Sequence, residues 1–219
     1  MNLKTIEIGA KKPSKLMILM HGYGSNKSDM AGLAASLLHL NPNLAETMKI
    51  VCPDGINNWE GGDFVSARQW FTLSNRDEDF LNAEMTKIIP DMTKWIDGEL
   101  AKCEVKRSDL ILAGFSQGAM MALHTGIDID SEIAGIISFS GTLLRKKNLA
   151  NYIKNKQKIC FIHGELDDVL PCSYSKIAHH EMQKAKWDSS FFEIKNMDHS
   201  INEECINIAN SFINEMLRI

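Results

Sequence analysis

The chain has 219 residues, 44% of them hydrophobic and 24% charged, with a formal net charge of −4 at pH 7. That length can bury one substantial core, and the composition excludes disordered, fibrous and membrane-spanning classes. The mild negative charge offers no basic footprint, so neither a nucleic-acid partner nor stable membrane insertion is expected.

Thr5 to Ile8 and Leu16 to Met20 open the chain as short strand-like runs. The second is too short for a signal-peptide core, and no small-residue cleavage site follows it. Ser28 to Leu40 then reads as a helix and Lys49 to Cys52 as a strand. From Pro53 to Asp79 the rhythm fails: the stretch is rich in Gly, Asn and Asp and shows no clean period. A loop of that length inside a domain is more often functional than not.

Asp79 to Val105 carries Leu81, Met85, Ile88, Met92, Trp95 and Leu100 at helical steps, with Pro90 expected to kink it or stand near a helix start. Strand-like runs follow at Leu110 to Ala113, Ile133 to Phe139, Lys158 to Ile162 and Phe191 to Ile194. Helical patterns separate most of them, at Gln117 to Thr125, Tyr174 to Lys186 and Ile201 to Leu217. Several strands are too continuously apolar to face water on one side. The expected fold is therefore α/β, with a mostly parallel central sheet flanked by helices on both faces, only the first strand pair antiparallel, and one domain over 1–219. The five cysteines, Cys52, Cys103, Cys160, Cys172 and Cys205, are scattered and form no CxxC pair, which points to a reduced, cytoplasmic compartment.

Gly114-Phe115-Ser116-Gln117-Gly118 fits G-x-S-x-G between a strand and a helix. A serine there sits on a tight, strained turn, and the flanking glycines let strand and helix approach closely. The bland reading is a strand-to-helix turn with serine as N-cap. As a nucleophile, the hydroxyl needs a base and a third group to orient that base, acid before histidine in chain order. Asp167 and Asp168 follow one strand, His199 follows the next, and both fall on the sheet edge where Ser116 emerges. His39, His124, His179 and His180 lie in helical patterns and read as surface or packing residues. His21 and His163 each precede a glycine at a strand end and read as loop scaffold. His179-His180-Glu181 is not HExxH, so no metal site is expected. The oxyanion hole should combine the N–H of Gln117 with that of Tyr23, in the glycine-bearing turn after Met20.

His21-Gly22-Tyr23-Gly24, Arg68-Gln69-Trp70-Phe71, Gly114-Phe115-Ser116-Gln117-Gly118, Ser140-Gly141, His163-Gly164 with Asp167 and Pro171, and His199-Ser200 together resemble the phospholipase/carboxylesterase group of α/β-hydrolases. That group includes bacterial carboxylesterases and acyl-protein thioesterases. The resemblance implies the α/β-hydrolase fold, Asp167 rather than Asp168 as the triad acid, and no cofactor. Asp168 is then a rim charge, and Asp198 is solvated. Three positions depart from the group's common pattern: Tyr23 for leucine, Thr72 for aspartate and Asp198 for glycine.

The expected reaction is acyl transfer to water from a small-molecule ester or thioester, through an acyl-enzyme on Ser116, with His199 as base and Asp167 orienting it. Trp70 and Phe71 have two readings, as an apolar wall for the acyl chain or as a core plug beneath the loop. The alternatives are acyl-protein thioesterase as the main activity, a non-catalytic hydrolase-like binding protein, and a peptidase or lipase on the same fold, for which the chain leaves little room for a lid. A homodimer is left open.

Overall fold

The computed structural model describes residues 1–144 and 157–218. Among the described residues, strands β1 (Thr5–Gly9), β2 (Lys15–Met20), β3 (Met48–Pro53), β4 (Asn57–Asn58), β5 (Arg68–Gln69), β6 (Leu110–Phe115), β7 (Gly135–Phe139), β8 (Lys158–Gly164) and β9 (Ser189–Ile194) are interleaved with six α-helices. These are α1 (Lys27–His39), α2 (Pro42–Thr47), α3 (Glu78–Cys103), α4 (Gln117–Asp128), α5 (Ser173–Lys184) and α6 (Glu203–Leu217). Seven strands make one sheet in the order β1-β3-β2-β6-β7-β8-β9. Every pairing in it is parallel except β1 with β3, so the antiparallel strand is the first one but its partner is the third, not the second.

The continuous apolar runs are explained by two-sided burial. Alternate residues of β2 point to opposite faces: Leu16, Ile18 and Met20 join one core with α3, α4 and α5, while Met17 and Leu19 join a second core with α1 and α6. All five are fully buried. Helix α3 runs on through Pro90. The sequence reading passed over α2, although Asn41 caps it and Pro42 stands at its first turn, which is a recognised start signal. It also started the last helix two residues early: Asn202 caps α6 by accepting from Cys205 N–H. All five cysteines are unpaired. Among the described residues no helix is long and apolar enough to cross a membrane.

The register aligns strand ends. Met20 pairs with Gly114, Phe115 with Phe139, and Gly164 with Ile194. The turns that follow β2, β6, β8 and β9 therefore emerge on one edge of the sheet, where open α/β sheets place their ligands.

Candidate active site

Ser116 occupies the turn between β6 and α4 with φ 53° and ψ −116°, a left-handed conformation for a side chain that rarely adopts it. Such a residue stores roughly 1–3 kcal/mol of strain and persists only where its surroundings enforce it. Here they do. Ser116 N–H donates to Phe139 O at 2.9 Å, and Ser116 O accepts from Ala119 and Met120. A Cβ on Gly114 would lie 2.3 Å from Gly118 C, and one on Gly118 would lie 2.2 Å from Met20 O, so only glycines permit this crossing. The serine side chain makes no capping hydrogen bond to α4, which removes the N-cap reading and leaves its hydroxyl available.

Asp167 is buried in the loop after β8, where its Oδ1 accepts from the N–H groups of Val169 (3.1 Å) and Leu170 (2.8 Å). Its Oδ2 lies 2.6 Å from His199 Nδ1. Burial alone would raise the Asp167 carboxyl, but the bonds from His199 and Leu170 and the nearby His163 outweigh it and hold the group below its ordinary value. The His199 loop can come this close because residue 164 is glycine: a Cβ there would meet Met197 O and Asp198 O at 2.4 Å. The imidazole rests against Phe115, the residue before the serine, with ring centroids 4.7 Å apart. Ser116 and His199 are not hydrogen bonded to each other among the described residues; such bonds are often long until substrate binds. Asp168 and Asp198 are exposed, as their rim and solvated readings required.

Gln117 N–H opens the first turn of α4, where no intrahelical acceptor exists. In the turn after β2, Gly24 N–H donates to Arg68 O and Ser25 N–H to Gly22 O. Tyr23 N–H has no acceptor among the described residues. His21 fixes this turn from beneath. It is fully buried, and its Nε2 accepts from Gly55 N–H at 2.7 Å, so the ring proton sits on Nδ1 and donates to Gly22 O at 2.7 Å. Burial pushes the His21 imidazole below its ordinary value and keeps it neutral. Because a trans peptide points its N–H away from its C=O, anchoring Gly22 O also sets the direction of Tyr23 N–H.

The structure corrects the reading of Trp70 and Phe71 as an acyl wall. They are 0% and 1% exposed, and Trp70 Nε1 donates to His21 O at 2.9 Å, so they lie in the core beneath the loop. Sequence reasoning missed what holds them. The Gln117 side chain accepts from Trp70 N–H at 2.9 Å and donates to Phe71 O at 2.8 Å. The residue after the serine thus clamps the long loop onto the nucleophile turn. The only signal for it is the joint occurrence of Ser-Gln-Gly and Arg-Gln-Trp-Phe.

Sequence reasoning also missed Glu60. Its carboxylate accepts from Leu73 N–H (2.7 Å), Thr72 Oγ1 (2.7 Å), Tyr23 Oη (3.0 Å) and Gln69 Nε2 (3.2 Å). Burial would raise the Glu60 carboxyl, yet these donors together hold it below its ordinary value. Tyr23 and Thr72, two departures from the resembled pattern, therefore meet on one carboxylate. The apolar groups this loop does expose are Phe64 and Val65, at 72% and 90%. A cleft of about 350 Å³ adjoins the histidine, lined in part by Met30, Leu33, Phe115 and Ile206.

The sequence profile of the phospholipase/carboxylesterase family matches residues 1–217. The chain belongs to the phospholipase/carboxylesterase family. Acyl-protein thioesterase 1 homolog 1 of Dictyostelium discoideum is 26% identical, over 93% of this chain and 91% of the relative. The esterase YpfH of Escherichia coli is 24% identical, over 91% and 82%. Among solved structures, the crystal structure of esterase PE8 superposes with a TM-score of 0.89 at 28% identity, covering 99% of this chain and 100% of the other. The Bacillus cereus carboxylesterase shares the α/β-hydrolase fold, with a TM-score of 0.77 at 16% identity over 98% and 94%. The family places the chain among carboxylic ester hydrolases.

Proposed function

We propose that the protein is a serine hydrolase in which Ser116 attacks an ester carbonyl, His199 takes and returns the proton, and Asp167 orients His199. In this reading the N–H groups of Gln117 and Tyr23 stabilise the oxyanion, and water releases the acyl group. The observation that carries it is the pairing of a strained, uncapped Ser116 with the Asp167–His199 couple on the same sheet edge. The substrates are small to medium acyl esters, with lysophospholipids as larger members of the class. The cleft beside His199 and the exposed Phe64 and Val65 supply apolar contact of the kind such acyl groups need. The enzyme works as one α/β-hydrolase domain over 1–219, in the cytoplasm, where its unpaired cysteines stay reduced.

A second reading, hydrolysis of acyl-protein thioesters, is favoured by relatives named for that activity that align over nearly the whole chain. The same residues serve either bond, so the substrate must be tested. Purified protein is assayed on p-nitrophenyl esters of graded chain length and on acyl thioesters, with Ser116→Ala as control. Turnover of either class that falls by about 10⁴ to 10⁶-fold in the variant supports the reading. Absence of turnover on both classes by the wild type defeats it.

A further inference from the structure

His163 was read from sequence as loop scaffold, yet it is fully buried and its Nε2 lies 3.0 Å from Asp167 Oδ2, the oxygen that His199 Nδ1 also uses. Nε2 is 2.7 Å from Leu170 O as well. It faces a carbonyl and a carboxylate, and both can only accept, so Nε2 carries a proton. On the other side of the ring Nδ1 lies 2.7 Å from Ser175 Oγ, and that hydroxyl donates to Gly141 O at 2.5 Å. Burial pushes the His163 imidazole below its ordinary value, against the pull of Leu170 O and Asp167.

We propose that His163 is a positioning residue for the hydrolysis: its Nε2–H, shared between Leu170 O and Asp167 Oδ2, fixes the carboxylate and moderates its hold on protonated His199. The inference rests on the assignment of His199 as the general base. An oxygen that accepts from two imidazoles has less charge to offer each of them, so protonated His199 is stabilised less than it would be by Asp167 alone. Asp168 and Asp198 flank the couple in the chain and are exposed; from the neighbouring elements come three further groups, Cys172 and Lys176 at the head of α5, and Glu193, the register partner of His163 on β9. None of these three replaces the Nε2–H: Cys172 makes its side-chain contact with Glu193 at 3.8 Å.

Two variants separate positioning from packing. In His163→Asn the amide extends only to the Nδ1 position, so it can bond Ser175 but cannot reach Asp167. In His163→Gln it extends to the Nε2 position. The acid limb of the kcat/KM profile should move to higher pH by roughly half a unit or more in His163→Asn. It should return to the wild-type position in His163→Gln. A limb that stays put in His163→Asn, or moves equally in both variants, overturns the proposal, since a purely structural role lowers activity without moving the limb.

Nitrogen-15 NMR of the wild-type protein tests the same point if either variant fails to fold. His163 Nε2 should remain protonated while the acid limb is crossed, and a bare Nε2 there overturns the proposal. Failure of the underlying reading looks different. In that case the wild type itself shows no acid limb and no labelling of Ser116 by a fluorophosphonate, and the role of His163 falls with it.

Discussion

The turns that carry Ser116, Asp167 and His199 are held mainly by backbone groups and close glycine contacts, whereas the 53–79 loop beside them, beyond its short β4–β5 ribbon and a few main-chain bonds, leans on side chains. Ser116 is fixed by main-chain bonds and by two glycines that nothing larger can replace. Asp167 is fixed by two N–H groups of its own loop, and His199 reaches it over Gly164. The long loop depends on two polar hubs, Gln117 within the core and Glu60 near the surface. Backbone-held turns are rigid and tolerate little change. Hubs made of side chains can be rewired one partner at a time, so the chemistry should be invariant where the first material is used and specificity adjustable where the second is.

The largest expected effect comes from the rigid side. Asp167→Asn keeps the shape but alters the hydrogen bonding of His199, and kcat should fall by about 10⁴-fold. Steady-state kinetics on a p-nitrophenyl ester checks this, and a loss under tenfold counts against Asp167 as the acid. Gly118→Ala drives a methyl into Met20 O and should cost about 1–3 kcal/mol of stability, read by urea titration. Gln117→Ala leaves Trp70 N–H and Phe71 O buried without their partner and should cost a similar amount, about 1–3 kcal/mol. Its backbone N–H survives, so turnover of short esters should drop less than in Asp167→Asn.

The smallest kinetic effect belongs to the adjustable side. Glu60→Ala frees Tyr23 and Thr72 and should change KM for long-chain esters by about two- to tenfold while leaving short esters nearly unaffected. Equal effects on all chain lengths would contradict Glu60 as a specificity element.

Stability against pH gives an independent check. His21 and His163 have folded-state values depressed by burial, so the unfolded chain binds their protons first. Their contribution is complete above about pH 6.5 and is lost as pH falls. Asp54 and Asp167 are also depressed, and add a second loss in the carboxylate range. The melting temperature should therefore decline steadily on acidification, and a rise between about pH 7 and about pH 5 would contradict it.

The same division between backbone and side chain decides what the sequence disclosed. The sheet was legible because its strands are buried on both faces and read as unbroken apolar runs. The nucleophile turn was legible because its geometry demands glycine at fixed positions. The clamp from Gln117 to Trp70 and Phe71 spans more than forty positions in the chain, and no local pattern announces it. Trp70 could be read as wall or plug because an aromatic residue in a glycine-rich loop serves either purpose; only its burial decided. His163 was hidden for a similar reason, since whether a histidine beside a glycine touches the triad acid depends on how the loop after β8 folds back.

The central claim is that Ser116 is the nucleophile and His199 its base. A fluorophosphonate, which reacts only with an activated serine, tests it directly when the adduct is located by tandem mass spectrometry. The account predicts one adduct, on Ser116, formed more slowly as pH is lowered from about 8 to about 5 and abolished in His199→Ala. An adduct on another serine, or labelling indifferent to His199, would contradict it.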